Sequence, residues 1–321
     1  MKYLVTGGAG FIGGHLVDRL LESGNRVVVI DNFFGGREEN IEHHEGDPNF
    51  VLHRRSVCDD LTDIFEKESF DGVFHLAAVP RVQYSIQKPY ETHETNVNGH
   101  LNLLMFCKKF GIKRFIFSSS SSVYGNSDDF PSVETMKPNP ISPYALHKFI
   151  GEEYNKLFNI LYGFETINLR YFNVYGPRQD PKGPYALLIT RFMDMIAKGE
   201  RPIINGDGEQ TRDFTYVTDV VEANILAMRC SNKACFGQVF NIGNGRNISV
   251  NKVTEEIIKL SGKPIEPIHG PSVIEPKNTL ADYRKAKEML GWKPKIEFEE
   301  GLKMTYEDYI KHSHPWVPKP L

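Results

Sequence analysis

The sequence predicts an α/β protein: a doubly wound parallel sheet covered by helices, followed by a smaller C-terminal α/β domain. Two observations carry this reading. Short β-branched runs alternate with amphipathic helical stretches through the first half of the chain, and a glycine-rich turn separates the first strand from the first helix. Strands are expected at residues 2–6, 26–30, 50–53, 72–76, 114–118 and 166–170. Helices fill the gaps: the stretch 96–110 sets Val97, Leu101, Leu104 and Met105 on one face and stops at Gly111, and 145–161 is similarly periodic.

After Tyr175 the texture changes. Gly176-Pro177 opens a Pro/Gly-rich loop running through Gly183-Pro184, and a new helix is expected over 186–197. The boundary is therefore placed between residues 1–174 and 175–321, although 214–217 and 239–242 read as strands that return to the first sheet. Helices are expected at 249–260 and 282–290, and the proline-rich residues 314–320 resist regular structure.

Composition narrows the function classes. A chain of 321 residues, 40% hydrophobic, can bury a large core, and its formal charge of −3 provides no basic field for nucleic acid or an anionic membrane. Cys58, Cys107, Cys230 and Cys235 are too scattered for a disulfide framework or a paired zinc motif. A reducing cytoplasm fits them. No charged and apolar leader precedes the first strand, and no run of 18 apolar residues occurs. His43-His44, flanked by acids, reads as solvated surface rather than a metal site, on the expectation that adjacent histidines point apart; no metal is expected. His75, on a buried strand, reads as a packed or cofactor-adjacent histidine.

The turn after the first strand is Gly7-Gly8-Ala9-Gly10-Phe11-Ile12-Gly13. Glycines there allow a tight turn, close approach of a pyrophosphate and tight helix packing, and the helix N-terminus turns N–H groups toward phosphate. Gly8, Gly10 and Gly13 fit one dinucleotide spacing, and Gly7, Gly10 and Gly13 fit another. Asp31, at the end of the second strand, can accept hydrogen bonds from an adenosine ribose and repels a 2′-phosphate. A Rossmann-type fold binding NAD is the expectation, with Arg37 the one nearby cation favouring NADP.

A second constellation follows. Residues 118–122 are five serines at the end of the fifth strand, and Tyr144 and Lys148 open the next helix. Four residues apart on a helix, phenol and ammonium share a face, and the cation stabilises phenolate, making Tyr144 a usable general base.

In these motifs, and in His75-Leu76-Ala77-Ala78, Arg170 to Arg178, Gly206 to Asp213 and Leu280-Ala281-Asp282, the chain resembles the extended short-chain dehydrogenases/reductases, in their NAD-dependent nucleotide-sugar epimerase branch. That resemblance implies Ser120, Tyr144 and Lys148 as catalytic residues. It implies cofactor contacts from Gly7, Gly10, Phe11, Ile12, Gly13, Asp31, Asn32, Val57, Ala77, Ala78, Asn96, Ser118, Tyr144, Lys148 and Tyr171. Substrate contacts are implied for Ser120, Ser122, Tyr144, Asn173, Arg212 and Thr279, with Asn173 and Arg212 on the diphosphate. Two departures stand out: Ser56-Val57 replaces an Asp-hydrophobic pair near the adenine, and Lys277 is the nearest cation where an arginine usually precedes Leu-Ala-Asp.

The implied reaction is C4 epimerisation of a UDP-hexose, UDP-glucose or UDP-galactose, through a transient 4-keto sugar. Relatives that dehydrate at C4 and C6 carry Asp-Glu where this chain has Ser121-Ser122, and decarboxylases keep the Glu. A hydroxyl cannot take over a carboxylate's proton shuttle, so both rivals are disfavoured, while epimerisation of a nucleotide sugar at another carbon stays open. A non-catalytic NAD-binding regulator would not need an activated phenol. The small Thr279 leaves room for an acetamido group at C2, so N-acetylated sugars are expected as well. The resemblance also implies a homodimer packed through the helices at 96–110 and 145–161.

Overall fold

The computed structural model describes residues 1–80, 82–127, 129–180, 187–272 and 278–313. Gly183-Pro184, the expected helix start at Ala186, Lys277 and the proline-rich tail lie outside the described residues.

Strands β1 (Lys2–Thr6), β2 (Arg26–Ile30), β3 (Phe50–His53), β4 (Gly72–His75), β5 (Arg114–Ser120) and β6 (Glu165–Tyr171) belong to a single sheet. The remaining strands are β7 (Val174–Tyr175), β8 (Ile203–Asn205), β9 (Thr211–Asp213), β10 (Thr215–Tyr216), β11 (Gln238–Ile242), β12 (Asn247–Ser249) and β13 (Ile268–Gly270). The main sheet has seven strands in the order β11-β6-β5-β4-β1-β2-β3, every pair parallel. The expected doubly wound sheet is thus present.

Parallel strands must be covered on both faces, which is why these segments read as nearly continuous apolar runs. Side-chain alternation then sorts them into two cores. Tyr3, Val5, Val27 and Val29 face helix α1 (Phe11–Glu22), through its Leu16, Val17 and Leu20, while Leu4, Val28 and Ile30 join the opposite core. That second core is capped by α2 (Thr62–Lys67), and the chain then runs through α3 (Val82–Gln87), α4 (Pro89–His93) and a π-helical turn, Glu94–Asn98. Next come α5 (Gly99–Lys109), carrying Leu103 and Leu104 into the same core, and α6 (Pro143–Tyr162). The stretch expected as one helix over 96–110 is therefore a π turn leading into α5. Ser142 caps α6 by accepting from the Ala145 N–H.

The chain leaves this layer through β7 into α7 (Leu188–Ala197), then α8 (Val217–Arg229) brings Val220, Val221 and Ile225 back against the core that holds α1. Of the two segments expected to rejoin the sheet, Gln238–Ile242 pairs with β6 as the seventh strand. Thr215–Tyr216 does not; it pairs with Val174–Tyr175 in a separate ribbon, and Val217 already begins α8. A β-branched run records strand character but not its partner. Residues from α7, α9 (Val250–Ser261) and α11 (Phe298–Ser313), among them Phe192, Met193, Ile257 and Leu302, form a third core with Tyr175 and Tyr216, while α10 (Arg284–Leu290) packs Ala286 and Leu290 on the first. No helix among the described residues is long and apolar enough to cross a membrane.

Candidate active site

A cleft of about 720 Å³ opens at the C-terminal edge of the sheet. It is lined by Gly7, Gly10, Phe11, Ile12 and Gly13 from the first turn, Asp31 and Asn32 after β2, Val57 after β3, and Ala77 and Ala78 after β4. This is the crevice where open α/β sheets bind ligands. The geometry chooses between the two glycine spacings. A Cβ at residue 13 would stand 2.0 Å from the Gly7 carbonyl oxygen, and one at residue 7, where φ is +73°, would stand 2.7 Å from the Ala77 nitrogen. Gly8 instead faces Val29 in the core. Gly7, Gly10 and Gly13 are therefore the working set. Because Gly10 caps α1 without any side-chain bond, the helix N-terminus faces the cleft with backbone groups alone. These features fit the pyrophosphate of a dinucleotide.

Asp31 is buried, and its two oxygens accept from the N–H groups of Ala9 at 2.9 Å and Phe33 at 2.8 Å. Burial pushes its carboxyl up against the pull of those bonds. Arg37, the residue that could have favoured a phosphorylated ribose, also lines the cleft, but it donates to the Arg178 carbonyl at 2.8 Å and lies 4.0 Å from Asp180. Arg178 in turn pairs with Asp18 at 2.6 Å.

At the other end, β5 runs two residues further than expected, to Ser120, in register with Tyr171, and Ser121–Tyr124 form a 3-10 turn. Ser118, Ser120, Ser122, Tyr144, Lys148 and Tyr171 all line the cleft. The Lys148 ammonium donates to the Ser118 carbonyl at 2.6 Å and sits 5.9 Å from the Tyr144 ring centre. Burial drives its pKa down to about 7, against the opposing pull of Glu152. Glu152 is held in a buried pair with Arg170, at 2.8 and 2.6 Å, and also accepts from Ser119. Tyr171 cannot serve as a base: burial raises its phenol to about 12, and its oxygen is bonded to Ser118 and Asn224. Tyr144 is fixed through its backbone, the N–H donating to Ser85 Oγ at 3.0 Å.

Asn173, Arg212 and Thr279 line the same cleft. The Thr279 hydroxyl accepts from Asn173 Nδ2 at 3.2 Å and from the Asp213 N–H at 3.1 Å. Asp213, wholly buried and raised to about 6 by burial, accepts from the N–H groups of Ala281, Asn244 and Gly245. It ties these separate segments into one wall.

Asn96 is the one expected site residue that the structure does not bring to the cleft. Its amide oxygen accepts from the Val79 N–H at 2.7 Å and its nitrogen donates to the Val79 carbonyl at 3.1 Å, so it clamps a wall residue from behind. His75 is packed, with Nδ1 2.7 Å from the Thr6 hydroxyl. A second correction concerns His43 and His44. Their rings do not point apart but converge, each Nε2 reaching the same Asp18 oxygen at 2.9 and 2.7 Å, because a 3-10 turn carries them. Sequence reasoning missed Phe34, Arg55 and Arg178 as lining residues; only Arg178 lay in a motif that could have flagged it.

The chain is similar along nearly its whole length to known proteins. The chain matches the family described as GDP-mannose 4,6 dehydratase over residues 4–305. It is 37% identical over 316 residues to a UDP-glucose 4-epimerase of Mycolicibacterium smegmatis, covering 98% of this chain and 100% of that one. It superposes on the crystal structure of UDP-glucose 4-epimerase from Thermotoga maritima with UDP-glucose at a TM-score of 0.91 and 44% identity, covering 97% of this chain and 99% of the other. A UDP-N-acetylglucosamine 4-epimerase from Methanobrevibacter ruminantium, in complex with UDP-N-acetylmuramic acid, superposes with a TM-score of 0.91 at 38% identity, covering 97% and 98%.

The buried lysine has a pH signature. Folded Lys148 loses its proton near pH 7, whereas the unfolded chain keeps it to about 10.5. Between those values the unfolded state binds the extra proton, so this residue's contribution to stability rises with pH and is lost as pH falls through 7. In urea unfolding of cofactor-free protein, the stability of wild type relative to Lys148→Met is expected to be greater at pH 9 than at pH 7. A difference that ignores pH would show that the ammonium is not desolvated.

Proposed function

We propose that this chain, which belongs to the GDP-mannose 4,6-dehydratase family of extended short-chain dehydrogenases/reductases, is an NAD-dependent C4 epimerase of UDP-hexoses. The observation that carries the reading is the sharing of one cleft by the glycine turn, Asp31, Ser120, Tyr144 and the desolvated Lys148. Gly7, Gly10 and Gly13 would hold the cofactor's pyrophosphate, and Asp31 its adenosine ribose. When bound, the nicotinamide supplies a reversible hydride acceptor.

The residues of the chain handle the proton. Tyr144 removes it from the C4 hydroxyl as phenolate, and Ser120 orients that hydroxyl. Lys148 makes the removal possible near neutral pH: a phenolate nearby favours the ammonium, and the ammonium favours the phenolate, so each holds the other charged in a site away from water. Arg212 grips the diphosphate, guanidinium to phosphate oxygen, which leaves the sugar free to present either face, while Asn173, whose Nδ2 donates to the Asp213 carbonyl and the Thr279 hydroxyl, shapes the wall beside it. Elimination or decarboxylation would need a carboxylate open to the cleft beside the serines, and Glu152, which accepts from Ser119, is turned to Arg170 and does not line it. Among the described residues, the cleft's carboxylates are Asp31 and Asp180, neither of them on β5 or α6.

Purified protein incubated with UDP-glucose, UDP-galactose, their N-acetylated forms and UDP-glucuronate should interconvert the C4 epimers, identified by chromatography. Tyr144→Phe should lower kcat by roughly 10² to 10⁴ while NAD binding persists. A product changed at another carbon, or near-normal turnover without the phenol, would overturn the reading.

Thr279 is proposed to set tolerance at C2, since it is small and faces the cleft. An overfilled pocket costs about 1 to 3 kcal/mol. Thr279→Tyr should therefore reduce kcat/KM for acetamido sugars far more than for plain hexoses. Thr279→Val, which removes only the hydroxyl that holds Asn173 and Asp213, should weaken both classes alike. Equal losses in the tyrosine variant would remove Thr279 from substrate choice.

A homodimer is proposed through α5 and α6. Leu146, Leu157, Ile160 and Leu161 are exposed on one face of α6, with Met105 exposed on α5. Such a stripe on a long helix calls for a partner. Light scattering should give twice the chain mass for wild type and one chain mass for Leu157→Glu/Ile160→Glu; a monomeric wild type would refute the dimer.

A further inference from the structure

Phe34 is 52% exposed although it lines the cleft, and its ring meets that of Tyr84 edge to face, centres 5.7 Å apart and planes at 63°. The two residues come from opposite sides of the glycine turn. Phe34 follows β2, Tyr84 lies on α3 after β4, and β1 runs between those strands. A contact between them therefore crosses over the end of β1, where Gly7 to Gly13 receive the pyrophosphate.

The position of Phe34 is built into the turn. Asp31 accepts from the Phe33 N–H, Asn32 accepts from the Phe34 N–H at 3.1 Å, and Phe33 takes φ of +58°, with the Arg54 guanidinium 4.6 Å above its ring. A non-glycine residue in the left-handed region, secured by two side-chain oxygens, is a costly way to hold a half-exposed ring unless the ring has a use there. The Tyr84 side is anchored too: its hydroxyl donates to Glu91, and its neighbour Ser85 accepts from the N–H of Tyr144.

We propose that Phe34 and Tyr84 form an aromatic strap that retains the dinucleotide, which lies beneath the contact and escapes only when the rings part. The inference rests on the proposed redox-neutral reaction. A hydride taken from the sugar must return to the same sugar, so a reduced cofactor released in mid-turnover would strand a ketone in the site. Retention is therefore a requirement of the chemistry rather than of binding alone.

The test follows release without any sugar present. Protein loaded with NADH is mixed with excess NAD in a stopped-flow instrument, and the loss of bound-NADH fluorescence gives the release rate. An edge-to-face aromatic pair is worth enough to slow escape by about threefold to tenfold. Phe34→Ala should release NADH faster by that factor, Phe34→Tyr should restore the wild-type rate, and Phe34→Ala/Tyr84→Ala should be no faster than either single variant, since each removes the same contact. Wild-type release from Phe34→Ala, or additive effects in the double variant, would overturn the strap and leave the epimerase reading standing. A protein that holds no NAD or NADH would overturn both.

Discussion

The near-contact of Gly13 with the Gly7 carbonyl oxygen fixes how closely α1 can press on β1, and most of the site depends on that closeness. No side chain fits between them: a single methyl would lie 2.0 Å from the oxygen. With the helix drawn in, its N-terminus points at the cleft, Ala9 comes within reach of Asp31, and Leu16, Val17 and Leu20 seat in the core formed with Val5 and Val29. Burial of those side chains stabilises the arrangement, at about 25 cal/mol for each Å² of apolar surface removed from water. One backbone approach thus serves packing and the presentation of backbone N–H groups to the cleft together.

The opposite wall depends on buried charge. Asp213 has no solvent access, yet three backbone N–H groups converge on its carboxylate from segments 31 and 68 residues away in sequence. An unpaired carboxylate in that position would be expensive, so the bonds and the burial are mutually dependent. Glu152 and Arg170 play the same part beneath the serines. Their pair links α6 to β6, holds Ser119, and leaves Lys148 as the adjacent cation in a dry setting. The charged residues that line the cleft are thus supported from underneath by ionised groups that do not line it.

Much of this was legible in the sequence, for identifiable reasons. β1 and β2 begin and end where the apolar runs do, because both faces are buried and the signal is continuous; β3, half-buried at the sheet edge, keeps the same apolar run. The cleft residues Gly7, Asp31, Ser120, Tyr144 and Lys148 were legible because each stands at a fixed offset from a strand or helix end. The glycine spacing was not, since Gly8 and Gly7 satisfy different patterns and only the contact with Val29 separates them. Asn96 looked like a ligand contact, but a residue that clamps the backbone of a lining residue leaves the same trace as one that lines the site. The Asp18–Arg178 pair, 160 residues apart, and the meeting of Phe34 with Tyr84 have no local signal at all.

The seventh strand has a consequence for how the chain matures. β6 is followed by more than sixty residues before β11 arrives to pair with it, and α8, which covers the same face as α1, is made only shortly before. A nascent chain emerging from the ribosome therefore carries a sheet with one raw edge and one face covered by α1 alone for that interval. Such an edge is a template for pairing with another chain. Excising the chain up to β6 as a free-standing fragment would make that interval permanent, so the segments before and after it are not interchangeable parts: the second finishes the first.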